Sequence, residues 1–195
     1  MSKGGWKKRG VVHIVVDVES DGRPPGDRSM VCFAAVVANG AIGTKNEQNF
    51  YGKMRPISPR FDQKALAVSG FTRKEHETFE NPEEVMIKFK DWLDDVCDGR
   101  RPVFWSDNNS YDFAFIDYYF LVFLGENPFG YSSRRIGDLY CGVVNSLRAN
   151  REWKNKYRKT KHTHDPLDDA RGNAEALMAI FKIMDKKRDA DVVQR

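Results

Sequence analysis

The sequence has few cysteines, and none of them stands in a metal-binding or redox motif. The 195-residue chain contains three, Cys32, Cys97 and Cys141, which are widely spaced and form no Cys-x-x-Cys pair. An odd number of scattered cysteines argues against a disulfide framework and against a zinc knuckle. We therefore expect buried, reduced thiols and a cytoplasmic protein.

Long hydrophobic runs are also absent. The apolar run over residues 11–16 is shorter than the core of a signal peptide. The run over residues 113–124 is too short to span a bilayer and contains Asp117. The sequence therefore predicts no membrane association.

The chain lacks a strong excess of either charge. Its 32 Lys and Arg residues and 28 Asp and Glu residues give a net charge of +4, which excludes histone-like polybasic behaviour. The distribution is uneven, because residues 147–161 contain seven bases and one acid. The remainder of the chain is therefore slightly acidic, and this segment could meet a polyanion.

Apolar runs and turn signals predict an α/β fold with a mixed sheet and helices packed on it. Three strands in series favour an antiparallel meander at the start. The predicted strands cover residues 11–20, 30–40 (with an Asn-Gly turn), 45–53 and 101–106, with a short one around Arg135. The predicted helices follow Asn81 (ending at Gly99), Asp112 (ending at Gly125), Asp138 as a cap (ending near Asn150) and Pro166.

These elements predict a single domain over residues 11–187. Residues 1–10 are Gly- and Lys-rich, so we expect a flexible basic N-terminus. Residues 188–195 are expected to be a frayed tail.

Asp17 and Glu19 stand two residues apart at the end of the first predicted strand. Strand alternation places both carboxylates on one face. Without a neighbouring base, such a pair is costly to ionise unless a cation neutralises it. The alternative is a strand that simply emerges into solvent.

Two further acids begin predicted helices. Asp112 follows Asn108 by four residues, and Asp169 follows His164 by five. Acids in a first helical turn are common as solvated caps, so each pattern alone is weak. His164 is expected on a loop, with His162 as the alternative histidine.

In this order, the three motifs resemble the DEDDh 3′–5′ exonuclease superfamily, which includes RNase T, oligoribonuclease and polymerase proofreading subunits. Asp17 and Glu19 match its first motif, Asp112 its second, and His164 with Asp169 its third. The resemblance implies a ribonuclease H-like five-stranded mixed sheet. It also implies a homodimer, as in RNase T-like relatives, and membership of the stand-alone exonuclease effectors of bacterial anti-phage (CBASS-type) systems.

The resemblance implies two Mg²⁺ ions, for which Mn²⁺ can substitute, held by Asp17, Glu19, Asp112 and Asp169. Hard cations prefer such oxygen ligands, and two of them can activate water and stabilise the leaving oxygen. His164 would be the general base, because imidazole exchanges protons near neutral pH. The expected products are nucleoside 5′-monophosphates from single-stranded 3′ ends, with DNA and RNA both open.

Candidate substrate contacts surround these motifs. Asn108 could orient a phosphate, and Phe71 occupies a segment (Ser69-Gly70-Phe71) where the family often has His-Gly-Ile. Cations interleaved with aromatic residues suit a single strand, so we assign strand contacts to Arg158, Lys159 and Lys161. The same segment could instead be a solvated charged loop or a dimer contact.

Two other functions remain open from the sequence. A nucleic-acid-binding module of the same fold could have lost catalysis, although all five catalytic positions are present. A ribonuclease H-like endonuclease would use a similar carboxylate cluster. The histidine five residues before the last acid favours the exonuclease.

Overall fold

The computed structural model describes residues 8–193 of the chain, with side chains as far as residue 190. Most of the segment 1–10 therefore lies outside the described residues. Lys8, near its end, donates its backbone amide to the carbonyl oxygen of Gly99 at 2.9 Å.

Five strands form one mixed sheet in the order β3-β2-β1-β4-β5. The central strand β1 (Val11–Ser20) pairs antiparallel with β2 (Met30–Val37), and β2 pairs antiparallel with β3 (Asn49–Lys53). On the other side of β1 lie β4 (Arg101–Ser106) and then β5 (Ser133–Arg135), both parallel. The predicted antiparallel meander is confirmed, with a shorter third strand.

Helices connect the strands and cover both faces of the sheet. Asn81 caps its helix through its side chain, which accepts a hydrogen bond from the amide of Glu83 at 3.0 Å, as its N-cap position predicts. The helices are α1 (Gln63–Val68), α2 (Arg73–His76), α3 (Pro82–Cys97), α4 (Asn109–Leu124), α5 (Ile136–Val144), α6 (Glu152–Tyr157) and α7 (Pro166–Val193), with a 3₁₀ turn over Leu147–Ala149.

Alternation along β1 divides its side chains between two hydrophobic cores. The even-numbered residues from Val12 to Val18 pack with α3 and α4. Val15 faces the opposite way and packs with α5, α6 and α7. Because Asp17 and Glu19 share the alternation of Val15, they leave the sheet on the α7 side.

Two predicted helix ends differ in the structure. Asp138 was expected to cap a helix ending near Asn150, but α5 already begins at Ile136. Asp138 lies in its first turn, 2.9 Å from Arg135, where a carboxylate interacts favourably with the helix dipole. The helix ends early because Asn145 adopts a left-handed conformation, with φ of 54°.

The C-terminal helix extends further than expected. It continues to Val193, so the predicted frayed tail over residues 188–195 is helical as far as the structure describes it. Arg188 lies 3.2 Å from Asp185 one turn earlier, a pairing that supports the helix. The short helices α1, α2 and α6 were not predicted, because four to six residues carry too little periodicity.

All three cysteines are free and buried, as expected. Among residues 8–193, no helix combines the length and the apolar character that crossing a membrane requires.

Candidate active site

Asp17 and Glu19, near the C-terminal end of β1, belong to an acidic cluster. Glu19 is buried, and burial together with the carboxylates of Asp169 and Asp165 raises its pKa to about 7. Burial also raises the pKa of Asp17 well above its usual range, with Asp112 and Asp169 adding to the effect. The positive charge of Arg158 lowers the pKa of Asp17 but does not offset the burial and repulsion that keep both carboxyl groups from ionising together.

Asp112 reaches the same place from the first turn of α4, which packs on the opposite face of the sheet. Its Oδ1 accepts a hydrogen bond from the amide of Val18 at 3.3 Å. Its Oδ2 is buried and has no hydrogen bond of ordinary geometry to a described residue, although the Ser106 hydroxyl interacts with this carboxyl group and lowers its pKa. Burial has the larger effect and raises the pKa of Asp112 to about 8, so a cation would favour the ionised form.

Asp169 completes the cluster from the first turn of α7. Its side chain is 2% exposed and lies 2.8 Å from the guanidinium of Arg158. Backbone amides of Thr163 and His164 donate to its two carboxylate oxygens, at 3.3 and 3.2 Å. The helix thus holds the carboxylate firmly between the histidine loop and the sheet.

The four acids fit a divalent metal centre. One carboxylate oxygen each from Asp17, Glu19 and Asp169 lies within 4.8 Å of the others, and Asp112 lies close enough to Asp17 to raise its pKa. Carboxylate oxygens are the ligands that Mg²⁺ and Mn²⁺ prefer. The structure therefore brings three of the four predicted metal ligands together, and it places Asp112 beside Asp17 but outside this close group.

Both histidines of the loop lie at the rim of this cluster. His164 Nδ1 is 3.8 Å from Glu19 Oε1, and His162 Nδ1 is 2.6 Å from Asp169 Oδ2. Their ring centroids are 4.3 Å apart, and each side chain is more than half exposed. His164 has a left-handed backbone with φ of 62°, which a non-glycine residue adopts only when its surroundings enforce it.

Arg158 does not occupy the position that the sequence predicts. Its side chain is only 9% exposed and pairs with Asp169, so its guanidinium is not presented to a nucleic-acid strand. Lys159 and Lys161 are exposed, and neither forms an ion pair with another residue that the structure describes. Lys154, nearby, pairs with Asp107, so only part of the basic segment is available to a polyanion.

The other two predicted contacts lie beside the cluster. Asn108 begins α4, but its side chain is exposed and makes no capping hydrogen bond. Phe71 is half-buried and packs edge-on against Phe79, with ring centroids 5.0 Å apart. In the sheet, Glu19 lies opposite Cys32, and Cys32 lies opposite Lys53.

Lys53 is a candidate contact that sequence reasoning missed. Its Nζ lies 4.6 Å from the centroid of the Phe71 ring, and its side chain is exposed. Two strand spacings, about 10 Å, separate its position from that of Glu19. No local pattern marks it, because the contact depends on the register of β3 and on the loop that carries Phe71.

Comparisons with known proteins agree on one family. Residues 12–181 match the model described as the 3′-5′ exoribonuclease Rv2179c-like domain. The chain is 35% identical over 183 residues to the 3′-5′ DNA exonuclease Cap18 of Escherichia coli, covering 91% of this chain and 95% of that protein.

Solved structures show the same fold. The nuclease domain of 3′hExo, a DEDDh family member bound to rAMP, superposes with a TM-score of 0.70 at 17% identity, over 88% of this chain and 92% of that one. Exonuclease I of E. coli in complex with a dT13 oligonucleotide gives a TM-score of 0.60 at 17% identity, over 94% of this chain and 43% of that one. The ribonuclease H-like sheet predicted from the sequence is confirmed.

The family model covers most of the chain, and the relative covers nearly all of it. DEDDh exonucleases depend on divalent cations, which agrees with the clustered carboxylates described above. The chain therefore belongs to the 3′–5′ exonuclease family described as 3′-5′ exoribonuclease Rv2179c-like, and it shares the fold of a DEDDh exonuclease.

Proposed function

We propose that Asp17, Glu19, Asp112 and Asp169 hold two Mg²⁺ ions, with Mn²⁺ as a substitute, and that the enzyme removes nucleotides from single-stranded 3′ ends. The carboxylate oxygens of Asp17, Glu19 and Asp169, which lie within 4.8 Å of one another, support this proposal. When bound, two such cations neutralise the phosphate, lower the pKa of a water molecule and stabilise the leaving oxygen.

The protein's own groups then position the reactants. Nδ1 of His164 lies 3.8 Å from Glu19 Oε1, beyond hydrogen-bond distance, and we assign the reactive role to the other ring nitrogen. Nε2 is then the atom that takes the proton from the attacking water, as a general base. Water adds to the terminal phosphorus and the preceding 3′-oxygen leaves, which yields a nucleoside 5′-monophosphate and a strand shortened by one nucleotide.

Substrate contacts are proposed at the exposed groups around the cluster. Asn108, Lys159 and Lys161 are placed to meet backbone phosphates, and Phe71 with Lys53 to meet a terminal base and its phosphate. We do not include Arg158 among the proposed substrate contacts, because its guanidinium is paired with Asp169 inside the acidic cluster.

Single-stranded DNA is the substrate we favour. The relative that matches along nearly its whole length is named as a DNA exonuclease, whereas the family description names an exoribonuclease. The cytoplasmic location, the homodimer and a place in anti-phage defence stay predictions.

Strands labelled at the 5′ end test the proposal. We expect a ladder shortened from the 3′ end with Mg²⁺, no ladder with EDTA, and faster digestion of single-stranded DNA than of RNA or duplexes. Asp112→Asn should abolish the ladder, whereas Asp95→Asn, which changes an exposed acid on α3, should leave it unchanged. Internal cuts, or digestion that survives Asp112→Asn, would refute it.

A further inference from the structure

Arg158 is paired with Asp169, one of the predicted metal ligands. Its Nη2 is 2.8 Å from Asp169 Oδ1, and the two side chains are 9% and 2% exposed. Its Nε is buried without a hydrogen-bond partner among the described residues. Burying a guanidinium with one N–H donor unused costs free energy. A side chain that served only to be hydrated would stay at the surface, so the inward position of Arg158 requires another explanation.

Gly172 provides the space for this arginine. It stands one turn after Asp169 on α7, and a Cβ atom there would lie 2.5 Å from Arg158 Nε and 2.9 Å from the carbonyl oxygen of Thr160. Real Cβ atoms do not approach so closely, so any side chain at position 172 would displace the guanidinium and the adjacent backbone.

Glu175, one turn further along α7, holds the backbone that carries the arginine. Its Oε2 accepts hydrogen bonds from the amides of Lys159 and Thr160, at 2.7 and 2.9 Å. Its Oε1 accepts from the Thr160 hydroxyl at 3.1 Å. Residues at intervals of three along one helix face therefore anchor the segment that leads to His162 and His164.

We propose that Arg158 is a positioning residue for the metal centre. Together with the amides of Thr163 and His164, it holds the carboxylate of Asp169 and fixes its rotation. It thereby helps to set the direction in which Oδ2, which also lies 2.6 Å from His162 Nδ1, is offered to a divalent cation. This inference rests on the proposed function, because it assigns Arg158 to the site of which Asp169 is a ligand. Removal of partners that orient metal ligands typically weakens metal affinity about 10–100-fold.

The direction of the change in affinity for a divalent cation distinguishes a positioning role of Arg158 from a purely electrostatic one. If Arg158 acted only as a nearby positive charge, its removal would relieve repulsion and tighten the binding of a divalent cation. If it fixes Asp169, its removal loosens the ligand and weakens the binding. These two roles predict opposite changes.

The experiment measures Mn²⁺ binding to the full chain by calorimetry and by electron paramagnetic resonance, without nucleic acid. Arg158→Met keeps much of the apolar stem, Arg158→Lys keeps the charge, and Gly172→Ala displaces the guanidinium. Lys182→Met removes an exposed cation on α7, and Gly142→Ala fills a helical position with no atom within 4 Å; both are controls.

We expect Arg158→Met and Gly172→Ala to weaken Mn²⁺ binding about tenfold, with partial recovery in Arg158→Lys and no change in the controls. In digestion assays, kcat at subsaturating Mn²⁺ should fall and recover with added Mn²⁺, while KM for the strand stays constant. Circular dichroism with EDTA should show folded variants.

Unchanged or tighter Mn²⁺ binding in Arg158→Met would overturn the positioning role. The same holds if KM for the strand rises and metal affinity does not change, since Arg158 would then be a substrate contact. A wild-type protein that binds no Mn²⁺, or binding that survives Asp169→Asn, would instead overturn the proposed metal site, and the inference with it.

Discussion

His162 Nδ1 lies 2.6 Å from Asp169 Oδ2, closer than the 3.8 Å that separates His164 Nδ1 from Glu19 Oε1. Distance alone would favour His162 as the catalytic histidine. The chain spacing favours His164, which precedes Asp169 by five residues and is the histidine assigned by the family motif. The His162 side chain contacts the same carboxylate that Arg158 holds, so we assign it an accessory role.

His164→Ala should therefore lower kcat about 10²–10⁴-fold, the usual contribution of a positioned general base, whereas His162→Ala should cost much less. Steady-state digestion of single-stranded DNA with saturating Mg²⁺ measures both. Added imidazole should partly restore His164→Ala, because a free base can replace the missing ring. A greater loss in His162→Ala, with rescue by imidazole there, would reverse the assignment.

The metal-free enzyme should become less stable as pH rises from about 5 to 8.5. Burial raises the pKa of Glu19 from 4.5 to about 7 and that of Asp112 from 3.8 to about 8. Between the unfolded and folded pKa values, the folded protein holds more protons, so its stability falls as pH rises through this window. Thermal unfolding in EDTA across this range measures the fall.

Mg²⁺ should remove most of this pH dependence, because a bound cation compensates the ionised carboxylates. Asp112→Asn should have a shallower slope in EDTA, since one of the two groups no longer titrates. A melting temperature in EDTA that stays level or rises over the window would contradict the burial of ionisable carboxylates in this cluster.

Asp17→Asn should stabilise the metal-free protein while it abolishes digestion. Burial and the neighbouring acids Asp112 and Asp169 raise the pKa of Asp17, so an amide of similar shape relieves both desolvation and repulsion. Each kcal/mol gained raises the melting temperature of a chain of this size about 2–4 °C. Scanning calorimetry in EDTA at pH 8, with Asp95→Asn as the control, measures it; a lower melting temperature would be the contrary result.

The sequence predicts the cluster well because local periodicity decides most of it. Strand alternation alone places Asp17 and Glu19 on one face, and helix-start signals place Asp112 and Asp169 in first turns. The family order of the motifs then brings the three places together. None of these steps needs a distant contact to be known.

The contacts around the cluster could not be predicted in the same way. Whether a Lys or Arg side chain in a polar segment points to solvent depends on the residues that pack beside it in the fold. Arg158 turns inward because Gly172 on α7 has no side chain and leaves space for the guanidinium. Lys53 meets Phe71 because the sheet register and the loop before α2 place them together. Charge and composition do not reveal either relationship.

Phe71→Ala should mainly weaken substrate binding. Its ring packs on Phe79 and lies 4.6 Å from Lys53 Nζ, and Lys53 stands two strands from Glu19 in the sheet. Base stacking on an aromatic side chain is worth about 1–3 kcal/mol, so KM for a short single strand should rise about 5–150-fold, while kcat at saturating strand changes little.

Two variants distinguish stacking from folding effects in this region. Phe71→Trp keeps a stacking face and should retain low KM, and Val122→Ala, at an exposed position on α4, controls for loss of apolar surface. Fluorescence anisotropy of a labelled strand with Ca²⁺ replacing Mg²⁺ measures binding without digestion. Stacking must appear as affinity for the strand. Equal strand affinity in Phe71→Ala and wild type would therefore exclude Phe71 from the strand-binding surface. The same conclusion follows if a lower melting temperature of the variant accounts for its loss of affinity.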